Sequence, residues 1–543
     1  MDKKELASVH VALPNLVEQL EKGRTTRRDF LRTSTLLGLS ATAAYGIAGK
    51  ITGEHFVAPA RAQQGTPGGT VRISMNVMEL SDPSLADWSQ KSNIYRAVNE
   101  PLAKIGADNI TRPYLAERWE ANDDLTAWTF HLRQNATWSN GDAFIADDVV
   151  ANIEKWLDEA HGSSNYSRFS SLEGAEAIDD HTVRFNLSSP DLAVPESLGD
   201  YPALIVHRDF WNNGGSFLDN PGTGPFQMSD YSVAERATLA QRTDAPWWGG
   251  DVLLGGIDII DHGDDPSAYL AALASGQVDL LYEISADQVA AVRGMEDLEL
   301  YETVTGQTGV ARFHVTSPPF DDPRVRRAIR ACIDHDVLLE LAFQNLGTPG
   351  EDHHVAPIHP EYAELPRPQQ DYDLARSLLA EAGYADGLDI EINCVAQPTW
   401  EPNTCQVIAE MLRPAGINLN VNILPGGTYW DRWTDWPFGF TSWTHRPLGV
   451  QVLNLAYRTG VPWNETNYSN PEFDALLDQA NATLDLEARR AITEQLEQII
   501  QNDSIIIQPY WRAIHTASNR NINGFQLQPA REFDFPVWSM SSS

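Results

Sequence analysis

The sequence is poor in cysteine and in positive charge. Only three cysteines, Cys332, Cys394 and Cys405, occur in 543 residues, which excludes the disulfide-dense scaffolds of small secreted domains. Cys394 and Cys405 could approach each other, as a disulfide or as two buried free thiols. Lys and Arg number 39 against 75 Asp and Glu, a formal net charge of −36. Because such a surface repels phosphate backbones and anionic lipids, we expect no nucleic-acid partner.

The sequence also lacks a hydrophobic run long enough for a comfortable membrane span, which needs about 20 apolar residues. Residues 26–32 instead read Thr-Arg-Arg-Asp-Phe-Leu-Arg, the pattern of a twin-arginine export signal. The run that follows, Thr33–Gly49, is uncharged and weakly apolar but too short and too polar for a membrane span, and Ala60-Arg61-Ala62 offers a small-x-small cleavage site. We therefore predict a signal peptide over residues 1–62 and a periplasmic protein, or a membrane-anchored one if the signal is uncleaved.

Familiar catalytic motifs are missing as well. There is no Gly-x-Ser-x-Gly elbow, no His-Glu-x-x-His, no Walker loop and no dinucleotide glycine fingerprint. His353, His354 and His359 lie close together between prolines and could ligate a metal, but their spacing matches no strong motif and favours a solvated loop. These absences favour an exported, non-catalytic binding protein without a cofactor over an enzyme.

The hydrophobic pattern predicts a mixed α+β first half and a more regular second half. A strand is predicted at Trp128–Arg133 and a helix from Ala146 towards Trp156. In the second half, strand Asp389–Cys394, helix Thr404–Leu412 and strand Ile417–Ile423 form a β-α-β unit. Such a unit implies parallel strands with a right-handed crossover.

Two further segments of the second half carry a pattern. Pro323–Phe343 is amphipathic, with Val325, Ile329 and Cys332 on one stripe. Ile505–Tyr510 is an apolar strand, and Pro509 places it at a sheet edge or at a crossing point.

Several sequence blocks together resemble one family, the extracytoplasmic solute-binding proteins of ABC importers in the peptide/nickel/opine class (family 5). The first is Tyr114-Leu-Ala-Glu-Arg-Trp, followed by Leu125–Val149, in which Leu132, Arg133, Trp138, Gly141, Phe144, Asp148 and Val149 match the family pattern. The others, in the family's order, are Gly222–Phe226, Phe320–Ile329, Asp373–Gly383 and Asn470–Leu477. Each block is weak alone, but the ordered set spans nearly all of residues 68–529.

The resemblance implies a two-lobed α/β periplasmic-binding-protein fold with a mixed α+β first lobe, two crossing segments and an interlobe ligand cleft. The implied parts are lobe I over 65–302 plus 513–543, with a family-specific subdomain at about 110–215, crossings at 303–316 and 505–512, and lobe II over 317–504. The implied mechanism is hinge closure on a ligand in the periplasm and delivery to a membrane permease. No bond is made or broken.

The implied partners follow from that mechanism. They are a small-molecule or short-peptide ligand, the ABC permease and ATPase complex, and the twin-arginine translocase during export; the protein itself is expected to be a monomer. One alternative is an exported solute sensor or chaperone of the same fold. A less favoured one is a metal-chelate binder or a metalloenzyme, for which the three histidines are the only sequence support.

Ligand residues are expected in loops that follow the strands of lobe II, because ligands sit at the carboxyl ends of parallel strands. Tryptophan, of which the chain has 16, supplies large rings to such clefts. The predicted ligand-binding residues of lobe II are Trp400, Tyr429, Trp430, Trp443, His445, Arg446, Trp463 and Asn464. Lobe I is expected to add Met78 and, with weaker support, Trp138.

One departure from the family pattern concerns the ligand. In peptide-binding members, the segment that matches Trp443–Gly449 usually carries an aspartate that pairs with the peptide's amino terminus. Here it reads Trp-Thr-His-Arg-Pro-Leu-Gly, without an acid. Because a guanidinium favours carboxylate or phosphate, we hypothesise that Arg446 faces an anionic group of the ligand. The alternative is that Arg446 pairs with a neighbouring acid.

Overall fold

The structure is a computed structural model that describes residues 3–39, 41–53, 67–263 and 265–541. The predicted cleavage site at Ala60-Arg61-Ala62 lies outside the described residues. The chain divides into two compact units. Unit 1 comprises Met1–Glu302 and His515–Ser543, and unit 2 comprises Thr303–Ile514.

Helices and strands alternate along both units. The helices are α1 (Lys3–Val9), α2 (Leu13–Glu21), α3 (Arg27–Leu36), α4 (Ala41–Thr52), α5 (Ser89–Val98), α6 (Ala146–Trp156), α7 (Val194–Ser197), α8 (Pro266–Ala274), α9 (Ala286–Arg293), α10 (Pro323–Arg330), α11 (His335–Phe343), α12 (Tyr372–Glu381), α13 (Trp400–Leu412), α14 (Gly426–Trp430), α15 (Gly449–Ala456), α16 (Pro471–Asn481) and α17 (Leu486–Asp503). Within the described part of the chain, none of them is long and apolar enough to cross a membrane.

The strands are short in unit 1 and longer around the boundary between the units. They are β1 (Thr70–Ser74), β2 (Ala103–Ile105), β3 (Thr111–Pro113), β4 (Ala116–Ala121), β5 (Ala127–Leu132), β6 (Leu172–Asp179), β7 (Thr182–Leu187), β8 (Phe226–Ser232), β9 (Arg236–Gln241), β10 (Gly256–Ile260), β11 (Leu280–Leu281), β12 (Leu298–Phe313), β13 (Gly347–Pro349), β14 (Leu388–Val395), β15 (Ile417–Leu424), β16 (Phe438–Trp443), β17 (Ile506–Ile507), β18 (Tyr510–Asn519), β19 (Ile522–Asn523) and β20 (Ser539–Met540). Strands β12 and β18 each begin in one unit and end in the other.

The paired arginines of the predicted export signal lie in helix α3 of unit 1. This helix begins at Arg27, where the Thr26 side chain accepts a hydrogen bond from a backbone N–H and so caps the helix. Arg28 donates from Nη2 to the backbone carbonyl of Asp108 (2.9 Å). Phe30 is fully buried. The structure therefore places the arginine pair on a helix that contacts the turn between β2 and β3.

A mixed sheet forms the centre of unit 1. Strand β1 pairs in parallel with β10 and β11, and β9 and β8 continue the sheet in antiparallel pairs. Val71 and Ile73 of β1 are fully buried, as are Ile257 and Ile259 of β10. These β-branched side chains alternate with more exposed ones, as a strand with one buried face requires.

Unit 1 also contains an antiparallel sheet in the order β4-β5-β7-β6, against which helix α6 packs. Its buried face carries Trp128, Phe130 and Phe185, whose rings lie 4.9 to 6.4 Å apart. The predicted strand and helix of this region are present as β5 and α6. Aromatic packing of this kind buries a large apolar area and holds the sheet in one register.

The sheet of unit 2 contains the predicted β-α-β unit. Strands β14 and β15 pair in parallel from Leu388↔Ile417 to Val395↔Leu424, with helix α13 between them in sequence. Strand β16 lies on the other side of β14, also in parallel, and pairs antiparallel with β12. The carboxyl ends of β14, β15 and β16 therefore lie at one edge of the unit 2 sheet.

Two segments of unit 2 differ in detail from their sequence patterns. Pro323–Phe343, whose pattern is continuous, forms two helices, α10 and α11. The side chain of Asp334 accepts hydrogen bonds from the backbone N–H groups of Asp336 and Val337 (3.1 Å each), so it caps the start of the second helix. The apolar Ile505–Tyr510 segment is likewise divided, because β17 ends before Pro509 and β18 begins after it.

Candidate ligand-binding site

A connected series of tryptophans lies at the carboxyl edge of the unit 2 sheet. Helix α14 follows β15 and ends at Trp430, and Trp443 is the last residue of β16. The ring centroids of Trp430 and Trp433 are 6.1 Å apart, those of Trp433 and Trp463 6.2 Å, and those of Trp463 and Trp443 6.0 Å. Trp430, Trp433 and Trp463 are half-buried, whereas Trp443 is buried. We call these four residues the tryptophan series.

A buried ion pair holds the inner end of this series. The Glu465 carboxylate accepts from the Trp443 indole Nε1–H (2.9 Å), from the Arg312 Nε–H (3.0 Å) and from the Thr441 hydroxyl (2.5 Å). Arg312 lies on β12 and its side chain is fully buried. Every member of this set has a partner of complementary charge or polarity, as buried polar groups require.

The two terminal nitrogens of the Arg312 guanidinium donate hydrogen bonds to the loop between α14 and β16. Its Nη1 donates to the carbonyl of Trp436 and its Nη2 to the carbonyl of Trp433. One guanidinium therefore ties together β12, the loop that carries Trp433, and the segment Trp463–Glu465.

The segment after β16 contains the arginine that the sequence associates with a ligand anion. Arg446 is buried, and its Nη1 donates to the Thr444 hydroxyl (2.6 Å) and to the His445 carbonyl (3.0 Å). His445 Nδ1 accepts from the backbone N–H of Gly306 (3.0 Å). These contacts fix the local backbone and the guanidinium. The role of Arg446 in ligand binding stays a prediction.

The three clustered histidines are buried, so the expected solvated loop is wrong. His353, His354 and His359 are at most 3% exposed. Burial lowers the pKa of His353 and of His354 to about 3, so both rings are neutral at physiological pH. His354 Nδ1 lies 2.8 Å from the Tyr457 hydroxyl. A neutral ring fits the apolar surroundings that bury this loop, because desolvation penalises the imidazolium.

Metal binding gains no support from the acidic and histidine side chains. Across residues 3–39, 41–53, 67–263 and 265–541, no group of three or more His, Cys, Asp or Glu side chains has the arrangement of a metal site. The three cysteines are buried free thiols.

The remaining predicted residues of unit 2 lie near the sheet edge but have local partners. Trp400 packs under the Arg512 guanidinium, 4.4 Å from the indole ring. The Tyr429 hydroxyl donates to the Phe440 carbonyl (2.8 Å), and burial raises the pKa of Tyr429. Asn464 donates to two backbone carbonyls of its own loop. These contacts indicate structural support for the edge, and a direct ligand contact by any of the three stays a prediction.

The predicted residues of unit 1 lie in separate surroundings. Met78 is half-buried, and its carbonyl accepts from the Tyr231 hydroxyl (2.9 Å). Trp138 is fully buried, and its indole N–H donates to Asp148 Oδ2 (3.0 Å). Asp148 also accepts from the backbone N–H of Ile145, which caps helix α6. Trp138 thus belongs to the packing at the start of this helix.

Comparison with known proteins decides the family. The family model for bacterial extracellular solute-binding proteins, family 5 (middle region), matches residues 111–460. The chain belongs to this family. As the resemblance implied, the match covers both the mixed α+β region of unit 1 and the β-α-β unit of unit 2.

Curated relatives of this family 5 protein match most of its length. The glutathione-binding protein GsiB of Shigella dysenteriae serotype 1 is 25% identical over 492 residues, which cover 86% of this chain and 93% of GsiB. The heme-binding protein A of Haemophilus influenzae is 27% identical over 443 residues, covering 74% and 79% of the two chains.

Solved structures show the fold of the family 5 chain. The binding protein AgaA from A. tumefaciens R10, solved with agropinic acid, aligns with a TM-score of 0.79 and 22% identity over 88% of this chain and 99% of AgaA. The oligopeptide-binding protein AppA of Bacillus subtilis, solved with a nonapeptide, aligns with a TM-score of 0.77 and 18% identity over 88% and 100%. The predicted two-lobed periplasmic-binding-protein fold is therefore confirmed.

Sequence reasoning missed the residues that organise this candidate site. Trp433 lies in a tryptophan-rich loop, which was a usable signal, because it follows the end of a predicted strand. Arg312 and Glu465 are 153 residues apart along the chain, and neither stands out in an acidic sequence. Their pairing could be found only from the folded chain.

Proposed function

We propose that this protein is the substrate-binding subunit of an ABC importer, which captures a small organic solute in the periplasm and delivers it to a membrane permease. Membership of the solute-binding family and the fold support this role. The observation that carries it is the tryptophan series at the carboxyl edge of parallel strands, where ligands of open α/β sheets bind; three of its four rings are half-buried. Capture needs only binding, so no catalytic step is proposed.

We infer that the ligand combines an anionic group with an apolar or planar part. Rings such as those of Trp430 and Trp463 offer large flat surfaces to a planar or hydrocarbon group. Arg446 is the reason for the anionic group, because its segment contains this arginine and no acid, whereas the matching segment of peptide-binding members usually carries an aspartate. The relatives are consistent with this class, since glutathione and agropinic acid, the compounds in the names of GsiB and of the AgaA complex, both carry carboxylates.

Identification of a bound compound is the first experiment. The mature protein, purified without denaturation, is measured by native mass spectrometry, and any retained small molecule is released and identified. A co-purified carboxylate or phosphate compound supports the proposed ligand class. A bound peptide with a free amino terminus and no second anionic group contradicts it while leaving solute capture intact.

The Arg446 hypothesis is tested by calorimetric titration with that compound or, if none is retained, with glutathione and agropinic acid. We expect Arg446→Ala to weaken binding about tenfold to a hundredfold, since a hydrogen bond to a charged group contributes about 1.5–3 kcal/mol. Arg458→Ala is the control, because Arg458 is a partly buried arginine of unit 2 that pairs with Asp478. Equal affinity of Arg446→Ala and the wild type, with both folded, would refute the hypothesis.

Export and assembly belong to the same proposal. The segment Thr26–Arg32 supports transport of the folded chain by the twin-arginine translocase, and the proposed location is the periplasm. We propose that the protein acts as a monomer with the permease and ATPase complex as its partner. Closure on the ligand at the crossing segments 303–316 and 505–512 stays a prediction.

A sensor or chaperone that uses the same fold remains the rival role. Deletion of the permease genes discriminates between them. Loss of solute uptake in that strain, together with loss of uptake on deletion of this protein, supports import. Uptake that is independent of this protein, despite ligand binding by the purified chain, contradicts it.

A further inference from the structure

The buried ion pair of Arg312 and Glu465 joins two segments of unit 2 that are 153 residues apart along the chain. The side chains of Arg312 and Glu465 are 0% and 3% exposed, and their Nε–Oε2 distance is 3.0 Å. Neither residue belongs to the predicted ligand set. Their contacts nevertheless lead to Trp433, Trp443 and the loop of Trp463.

The two carboxylate oxygens of Glu465 accept hydrogen bonds from different donors. Oε1 accepts from the indole N–H of Trp443, which fixes the tilt of that ring. Oε2 accepts from Arg312 Nε and from the Thr441 hydroxyl, which fixes the carboxylate itself. A bond to an ionised acceptor is shorter and stronger than a neutral one, so the charge of Glu465 is needed for the full effect.

Trp443, whose orientation is fixed by Glu465, contacts the rings of Trp463 and His354. Its ring meets Trp463 at 6.0 Å and 64°, and it meets the imidazole of His354 edge to face at 5.5 Å and 88°. Trp463 in turn contacts Trp433, whose backbone carbonyl accepts from Arg312. The contacts form a closed path, from Arg312 through Glu465, Trp443, Trp463 and Trp433 back to Arg312.

We propose that Arg312 and Glu465 are positioning residues that set the orientation of the tryptophan series for ligand recognition. The inference rests on the proposed function in one respect, that the series faces the ligand. The hydrogen bond from the Trp443 indole to Glu465 restricts the rotamer of that ring, and the bond from Arg312 to the Trp433 carbonyl fixes the backbone of that loop. Trp463 packs between these two anchored tryptophans. Preorganisation of this kind raises affinity by lowering the entropy lost on binding.

The alternative is that the pair only stabilises the fold. A buried ion pair is weak evidence for stability, because desolvation of both charges offsets their attraction. A variant that replaces both partners with apolar side chains can therefore stay folded while the closed path is lost. This difference separates a positioning role from a structural one.

The test uses the mature full-length protein with ¹⁵N-labelled tryptophan, whose indole N–H signals are recorded by NMR and assigned with Trp→Phe variants. We expect Glu465→Gln to move the Trp443 indole signal upfield, since an amide oxygen is a weaker acceptor than a carboxylate, and to shift the signals of Trp433 and Trp463. Glu497→Gln is the matched control. Glu497 is a buried carboxyl of unit 2 that accepts from the Ala363 N–H (3.5 Å), away from the closed path.

A second variant covers the case in which Glu465→Gln does not fold. The double change Arg312→Met and Glu465→Met removes both buried charges and is expected to retain the thermal midpoint within a few degrees, while the three indole signals shift as in Glu465→Gln. Unchanged signals of Trp433 and Trp463 in both folded variants overturn the proposal.

The ligand measurement separates this inference from the proposed function. For glutathione, or for a compound identified by mass spectrometry, we expect about tenfold weaker binding by Glu465→Gln and wild-type affinity for Glu497→Gln. Shifted signals with unchanged affinity overturn the link to recognition. Failure of the wild type to bind any of these compounds contradicts the proposed ligand class, and the indole signals then decide the positioning role by themselves.

Discussion

Buried ionisable side chains of unit 2 make its stability depend on pH. Glu401, the second residue of α13, is completely buried, and burial is the main reason that its pKa rises from 4.5 to about 8. The Ser442 hydroxyl and the Arg512 guanidinium act in the opposite direction. The carboxyl is therefore protonated at neutral pH in the folded protein and ionised in the unfolded one.

The predicted variant is Glu401→Gln. Because its folded pKa is raised, the Glu401 carboxyl holds more protons in the folded state than in the unfolded state between pH 4.5 and about 8, and its contribution to stability falls with rising pH across that window. We expect the Gln variant to lack this slope of about 1 kcal/mol per pH unit, so that its advantage over the wild type grows from pH 5 to pH 8.

Urea unfolding at both pH values measures the effect. Glu410→Gln is the control on the same helix, because Glu410 is exposed and pairs with Arg413. A wild-type slope that survives in Glu401→Gln would show that other groups produce it.

His353 and His354 change the stability with pH in the opposite direction to Glu401. Their lowered pKa means that the unfolded chain takes up protons below pH 6.5 while the folded chain stays neutral. These two residues therefore remove stability as the pH falls from 6.5 to about 3. Between pH 4.5 and 6.5 the two histidines and Glu401 therefore change the free energy of unfolding in opposite directions, and above pH 6.5 only the Glu401 contribution continues to change.

At the scale of elements, the β-α-β unit of unit 2 depends on the turn between α13 and β15. Gly416 ends the short turn after α13 with φ of +82°, a left-handed conformation that glycine adopts without strain. The nearest atom to a Cβ added at Gly416 is the Cα of Gly387, which precedes β14, at 3.9 Å. The cost of a side chain here is therefore conformational, not steric.

The predicted change is Gly416→Ala, and the matched control is Gly427→Ala. We expect Gly416→Ala to lower the free energy of unfolding by about 1 kcal/mol. Gly427 lies in helix α14 with negative φ and open space around its added Cβ atom, so alanine there is expected to be neutral or stabilising. Chemical denaturation of both variants measures the difference, and an equal effect of the two substitutions would contradict it.

The helices and strands also show which sequence patterns were sufficient to predict secondary structure. Strands β14 and β15 and the helix between them were predicted because periods of 2 and 3.6 residues follow from local geometry. The break between α10 and α11 was not, because the amphipathic pattern continues past Asp334, and its capping role becomes visible only in the folded backbone.

At the scale of the whole molecule, the proposed location of the protein rests on the segment before residue 63. The described part of this segment forms helices α1–α4, and the paired arginines begin α3. The chain has a formal charge of −36 and belongs to an extracellular family. Export of the folded protein by the twin-arginine route is the proposal that joins these facts.

Replacement of Arg27 and Arg28 by lysine tests this route. Because the translocase reads paired arginines, we expect the double variant to accumulate in the cytoplasm as the precursor, whereas Arg24→Lys is exported like the wild type. Cell fractionation with N-terminal sequencing measures both outcomes. A periplasmic double variant would contradict the twin-arginine assignment.

The class of this protein was readable from the sequence, because the ordered motifs that resemble family 5 are local and need no knowledge of contacts. That resemblance implied the two-lobed solute-binding fold, whereas the strand and helix periods predicted the individual elements. The carboxyl-edge rule likewise selected Trp430 and Trp443, because it needs only the order of the strands.

The environment of each side chain depends on tertiary packing and could not be read from the sequence. Folding buried the three histidines expected in a solvated loop, placed Trp138 in the packing of α6, and joined Arg312 to Glu465 across 153 residues. The physical reason is that burial and long-range hydrogen bonds arise when distant segments pack together. A charged residue in an acidic sequence carries no mark of the partner that packing will bring to it.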